Sequence, residues 1–230
     1  AVSGPVTVDT SITVGKIIFG STAPYTLNNS GASSITMAAA AGDAAIRIDA
    51  GSHTICTPLT LSSNLTVSAA GADNVLTLSG QQNWGGKTVT VQSGTLRYVA
   101  SANGQNTSGA RLIIDSGASV ELGGTATVTS DGANHVTVTN NSTSAGLIIT
   151  GGSQVLAAID GSGMTTVASG AHLTVSYIQQ SSLVVTSGST LTFAPAVAQS
   201  HNAVLLPCGG VSQAGGAAVP ESNTLALLAA

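Results

Sequence analysis

Apolar and hydroxyl residues alternate with a period of two along most of this chain, and that alternation decides what it can fold into. It reads Val6-Thr7-Val8, Ile12-Thr13-Val14, Leu65-Thr66-Val67, Leu76-Thr77-Leu78, Val89-Thr90-Val91, Val136-Thr137-Val138, Leu173-Thr174-Val175 and Leu191-Thr192-Phe193. Period two with β-branched residues is a strand signal, with the apolar members on one side and Thr on the other. Helical spacing is nearly absent. One helix-like run, from Met37 to Ala45, is merely rich in alanine.

A small turn recurs between the short strands. It follows the pattern aliphatic, any residue, small, Gly, a few small residues, aliphatic, and it places glycines at Gly51, Gly94, Gly117, Gly170 and Gly188. Glycine suits such a corner because the backbone there needs positive φ or a close approach. The uneven gaps between these glycines suit one, two or three windings of roughly 20 residues, the length class of stacked repeats. The expectation is an all-β, single-domain, right-handed parallel β-solenoid (a β-helix) over residues 1–200. At about 20 residues per winding it has on the order of eleven windings. With strands about 4.8 Å apart, the rod is roughly 50 Å long. The alternative is an antiparallel β-sandwich.

Composition removes several classes of function. Of 230 residues, five are Lys or Arg and nine are Asp or Glu, for a net charge of −4, and aromatics are 3%. Five scattered bases make no patch for a nucleic acid, and so few aromatics make no base-stacking platform. No apolar run approaches the roughly 18 residues of a membrane span. The 43% hydrophobic content is that of a packed chain, not a disordered one. A surface of hydroxyls and amides carries little charge to hold copies apart. That points to an extracellular or cell-surface protein that tolerates or requires association. The opening Ala1-Val2-Ser3-Gly4, without Met, is what signal cleavage leaves.

One stretch carries a family likeness: Leu76-Thr77-Leu78-Ser79-Gly80, then Gln81-Gln82-Asn83-Trp84-Gly85-Gly86, then Lys87-Thr88-Val89-Thr90-Val91-Gln92-Ser93-Gly94-Thr95-Leu96. It resembles the autotransporter-associated β-strand repeat, also called the passenger-associated transport repeat. Residues 74–98 cover one unit, and residues 182–193 resemble its last half. The resemblance implies a β-helical passenger on or outside a bacterial cell, with no catalytic residues. It makes Trp84 the repeat aromatic, packed over a turn rather than exposed as a sugar platform. The end, Val219-Pro220-Glu221-Ser222-Asn223-Thr224-Leu225-Ala226-Leu227-Leu228-Ala229-Ala230, is similar to the start of the PEP-CTERM sorting signal of exported proteins in biofilm-forming bacteria. Ser222 and Asn223 depart from that pattern. Residues 201–230 are thus read as an apolar segment, either a strand given to another subunit or a remnant of a sorting signal.

Little here carries chemistry. The acids are Asp9, Asp43, Asp49, Asp73, Asp115, Asp131, Asp160, Glu121 and Glu221. Asp49 and Asp115 hold equivalent places before corner glycines but lie about three windings apart, too far for the paired carboxylates of glycoside chemistry. Asp73, Asp131 and Asp160 precede Asn or Gly, where turns explain them. His53 and His172 each follow a corner glycine by two positions and share one place, which is no converging zinc set. His135 and His201 complete the histidines. No catalytic residue, metal or cofactor is expected. Cys56 and Cys208 lack metal spacing. They are a disulfide candidate closing a long loop in an oxidising compartment or joining two chains, or else two buried free thiols. Asn28, Asn64, Asn106, Asn140 and Asn141 begin N-x-[ST] triplets, which arise by chance in such a composition.

Solenoid ends are unpaired edges that monomers cap or charge. Here Val6 to Phe19 holds one Asp and one Lys, and Ala203 to Ala230 holds only Glu221. The expectation is a secreted structural subunit that joins head to tail with itself into an extracellular filament or matrix. Two alternatives stand beside it: an adhesin-like passenger module binding extracellular glycans through Thr and Asn faces, and a polysaccharide-active enzyme.

Overall fold

The computed structural model describes residues 4–99, 109–124, 136–144 and 146–194, and the backbone of 224–228. In chain order the strands are β1 (Gly4–Val8), β2 (Ile12–Val14), β3 (Lys16–Phe19), β4 (Tyr25–Asn29), β5 (Ile35–Met37), β6 (Ala44–Ile48), β7 (His53–Ile55), β8 (Leu59–Leu61), β9 (Leu65–Ala69), β10 (Val75–Leu78), β11 (Gln82–Asn83), β12 (Thr88–Tyr98), β13 (Arg111–Ile114), β14 (Ala118–Leu122), β15 (Thr137–Asn140), β16 (Gly146–Ile149), β17 (Ser153–Asp160), β18 (Met164–Val167), β19 (His172–Ile178), β20 (Ser182–Thr186), β21 (Thr190–Phe193) and β22 (Thr224–Leu228).

These strands stack in parallel on three faces. The first face is β1, β4, β7, β10, the end of β12, β14, β16, β18, β20 and β22. The second is β2, β5, β8 and β11 in the early windings. In the late windings it is the starts of β17 and β19, then β21. The third is β3, β6, β9, the start of β12, β13, β15 and the ends of β17 and β19. The chain visits the faces in turn and comes back one level along the axis. The fold is a parallel β-solenoid, and the parallel ladders exclude the antiparallel sandwich.

The windings are uneven. On the first face Gly4 pairs with Tyr25, Thr26 with Thr54, His53 with Leu76 and Val75 with Thr95, so the winding from β4 to β7 is the longest of the early ones. Gly94 pairs with Ala118 and Ser119 with Gly146, and these windings are long again. Leu147 pairs with Thr165 and Met164 with Ser182, and these two windings are the shortest. Among the described residues ten strands stack on that face, so the windings there are fewer, and most of them longer, than the roughly eleven expected at about 20 residues each. In the winding from β4 to β7 the extra length lies between strands, at 30–34 and 38–43. Among the described residues there is no helix: Met37 ends β5, 38–43 is irregular, and Ala44 opens β6.

Alternation places the aliphatic residues inside, where they form ladders along the axis. One third-face ladder runs Ala44, Leu65, Val89, Leu112, Val138, Ile159, Ile178. A first-face ladder runs Leu76, Leu96, Val120, Leu147. Nearly all of these side chains are fully buried. Dispersion contacts along a dry, interdigitated stack supply the cohesion that a charge-poor surface does not. Gly94 shows what the corner demands. It has φ 72°, and a Cβ there would meet the methyl of Ala69, so β12 turns from the third face to the first without a loop.

Of the stretch 201–230, Thr224–Leu228 forms β22, paired in parallel with β20 of the same chain. The rest of that stretch lies outside the described residues.

Candidate functional site

The most exposed apolar side chains cluster at the two ends of the described stack. Val6 heads a first-face ladder that continues as Leu27, Ile55, Leu78 and Tyr98, and it is 48% exposed. Ile12 heads a second-face ladder that continues as Ile35 and Leu59; it is 41% exposed, while those two are buried. Inward positions that are half-buried at Leu27 and buried in the other windings above are therefore more exposed in the first. At the other end Phe193, stacked on Val175, is 39% exposed.

The first-winding edge is only partly open to main-chain pairing. The Val8 carbonyl accepts from Ser30 N–H, so the polar groups of Val8 and Val6 face β4. By alternation those of Pro5 and Thr7 face outward, and Pro5 has no N–H to offer. Lys16 opens β3 on the same edge as an exposed charge.

The structure separates residues that the sequence groups together. All five corner glycines have positive φ, from 72° to 83°. Gly51, Gly94 and Gly117 lie where the third face turns into the first, whereas Gly170 and Gly188 lie where the first turns into the second. The long gap between Gly117 and Gly170 thus crosses from one corner to another. His53 and His172 separate for the same reason. His172 is exposed, with Nδ1 2.5 Å from the Thr190 hydroxyl. His53 is 1% exposed and stacks on Phe19, with ring centroids 4.4 Å apart, and on Tyr25. Its Nδ1 accepts from Tyr25 N–H and its Nε2 bonds the Ala50 carbonyl. It fills a gap in the Leu76 ladder as a satisfied core residue.

Trp84 is buried, edge-on to the Tyr98 ring at 6.2 Å. Burial holds the Tyr98 phenol well above its ordinary pKa. Cys56 is half-buried, 3.1 Å from the Ser79 hydroxyl, and Cys208 lies outside the described residues. Asp49 and Asp115 both follow third-face strands and stand three strands apart, about 14 Å at about 4.8 Å per step. Glu121 pairs with Arg97 at 2.6 Å on the outer surface, and its hydrogen bond raises the Arg97 pKa. Among the described residues no three His, Cys, Asp or Glu gather as metal ligands. Asp131, Glu221, His135 and His201 lie outside them.

Sequence reasoning missed a buried polar cluster. Asn140 continues a third-face ladder above Ile46, Val67, Val91 and Ile114, where every other member is aliphatic. Its amide donates to the Met164 carbonyl and to Gln180 Oε1, both at 2.8 Å. Gln180 Oε1 also accepts from Thr165, and its amide donates to the Asp160 carbonyl at 2.6 Å and to that of Gly161 at 3.1 Å. Gly161 lacks the Cβ that would strike the Asn140 carbonyl, which lets the two carboxamides meet across it. The signal was present: in Val136-Thr137-Val138-Thr139-Asn140 the next inward position is Asn.

The molecule is thus a β-solenoid whose distinctive chemistry lies at its ends and corners. No protein family, curated protein or solved structure matches the chain.

Proposed function

We propose that this protein is a secreted structural subunit that assembles end to end into an extracellular filament. The carrying observation is the first winding. Val6 and Ile12 occupy ladder positions that are half-buried at Leu27 and buried at Ile35, Ile55 and Leu59 in the windings above, yet they stand 48% and 41% exposed. A further winding supplied by a second copy would cover them with aliphatic side chains at roughly 25 cal/mol per Å². With a net charge of −4 over 230 residues, two copies meet little electrostatic repulsion. The contact joins unlike ends and does not close, so it propagates. Main-chain pairing draws on Thr7, β2 and β3, since Pro5 donates nothing outward.

The test is sedimentation and electron microscopy of the purified chain over a wide concentration range. Polymers that lengthen with concentration are expected. Val6→Lys, which touches an exposed position and spares the core, should shorten or abolish them. A single monomeric species at every concentration would refute the assignment.

A further inference from the structure

We infer that a groove at the corner between the first and second faces binds a neutral, linear oligosaccharide lying along the solenoid axis. This is a second activity and does not depend on polymerisation. The groove has a volume of about 330 Å³ and draws its walls from three successive windings. One winding contributes Asn29, Gly31, Ala32 and Ser34, the next Pro58, Leu59 and Thr60, and the third Gln81 and Asn83.

The sequence builds this groove by lengthening one winding. The winding that carries Thr26 to its partner Thr54 is longer than the one before it, from Gly4 to Tyr25, and the one after it, from His53 to Leu76. Part of the surplus is the protruding loop 30–34. That loop is fixed from below: the buried Ser33 hydroxyl donates to the Val8 carbonyl and is 2.9 Å from that of Ser30. Ser34 N–H is tied to the Ser11 hydroxyl at 3.1 Å. The wall is therefore pre-set, which spares a ligand the cost of ordering it.

The lining selects the ligand. It contains no ionisable side chain, so it offers nothing to a phosphate, a uronate or an ammonium group. It offers carboxamides and hydroxyls, which both donate and accept, as sugar hydroxyls do. Within the lining Thr60 lies in register with Asn83, so their polar groups follow one another along the axis at the strand spacing of about 4.8 Å. Among the described residues, the Thr60 hydroxyl and the Asn83 carboxamide make no hydrogen bond. The Asn29 amide donates to the Gly31 carbonyl at 2.9 Å. A pyranose chain laid along this rank presents successive hydroxyls to successive windings.

The test is isothermal titration, with chemical-shift mapping, of the full chain against cellohexaose, chitohexaose, xylohexaose and, as the charged arm, a hexagalacturonate. Saturable binding of at least one neutral hexamer is expected, with shifts at 29–34, 58–60 and 81–83. Asn83→Ala and Thr60→Val should each weaken it about tenfold, or about 1.4 kcal/mol. Thr174→Ala, on a different stretch of outer surface, should leave it unchanged and serves as the folding control. No saturable shift with any neutral hexamer at about 10 mM, equal affinity for the hexagalacturonate, or binding insensitive to both groove variants would each overturn the assignment. Polymer formation is scored separately and bears on the end-to-end proposal alone.

Discussion

The windings up to Tyr98 and those from Val136 onward solve the same packing problem differently. In the early part three short strands per winding are separated by loops of unequal length, and the interior is filled by aliphatics with Phe19, His53, Trp84 and Tyr98 as large inserts and Gln82 as a buried amide. In the late part the windings are at their shortest, the second and third faces merge into single strands, β17 and β19, and the interior is closed by Asn140, Thr165 and Gln180. The choice does not follow the length of the winding: Trp84 lies between the paired Val75 and Thr95, the shortest early winding, and Asn140 lies between the paired Ser119 and Gly146, one of the longest. It follows the inward residue: where that residue is Asn or Gln, its amide bonds corner carbonyls that aliphatic neighbours could not satisfy. The lesson is that single inward residues set the inner chemistry of each part.

Each substitution below presses on that contrast. Trp84→Ala should have the largest effect, about 3–5 kcal/mol, because it opens a cavity under Tyr98. Windings in a solenoid are coupled mainly to their neighbours, so hydrogen exchange should speed up in the early part and hold steady beyond Gly146. Uniform acceleration would mean that the two parts unfold as one. Gln180→Ala should cost about 2–3 kcal/mol, because it leaves the Thr165 hydroxyl and one N–H of the buried Asn140 amide without a partner. Chemical denaturation read at late-part amides checks this, and a loss below about 0.5 kcal/mol would refute the amide-closed interior.

Two glycines test the corners against each other. Both Gly94 and Gly170 have positive φ, but only Gly94 is crowded, by the Ala69 methyl; nothing stands within 4 Å of the Gly170 position. Gly170→Ala should cost about 1 kcal/mol from backbone conformation alone, and Gly94→Ala clearly more. Equal losses would show that crowding at the Gly94 corner relaxes. The smallest effect concerns pH. The raised Tyr98 pKa means the folded state holds that proton longer than the unfolded chain does. The associated stability is fully present below the ordinary phenol value of about 10 and drains away as pH climbs past it. Tyr98→Phe should flatten the alkaline loss in thermal melts taken between about pH 9 and 11, and an unchanged slope would assign that loss elsewhere.

The alternation in Leu65-Thr66-Val67 or Val89-Thr90-Val91 is enough to read both the strand and its inner side, because one buried face leaves no other register. The corner a glycine serves was not legible. Ser93-Gly94-Thr95-Leu96 and Ser187-Gly188-Ser189-Thr190-Leu191 look alike, yet they turn at different corners. A turn motif specifies a local bend. Its place on the cross-section depends on how much chain each preceding loop consumed. His53 escaped for a related reason: Tyr25 and Leu76, its neighbours along the axis, each lie a full winding away in sequence. The groove was equally hidden. Its walls come from Asn29 to Ser34, Pro58 to Thr60 and Gln81 to Asn83, whose apposition exists only once the windings are stacked.

The parallel stacking has a mechanical corollary. Nearly all strand-to-strand bonds lie along the axis, so tension applied at the two tips loads the windings in series, and they peel away one after another instead of yielding together. Drawn out straight, the winding between Leu147 and Thr165 would release about 60 Å of slack, and the one between Thr26 and Thr54 about 95 Å. A thread built on this plan would stretch in a staircase of unequal treads and absorb work at every tread before it parted.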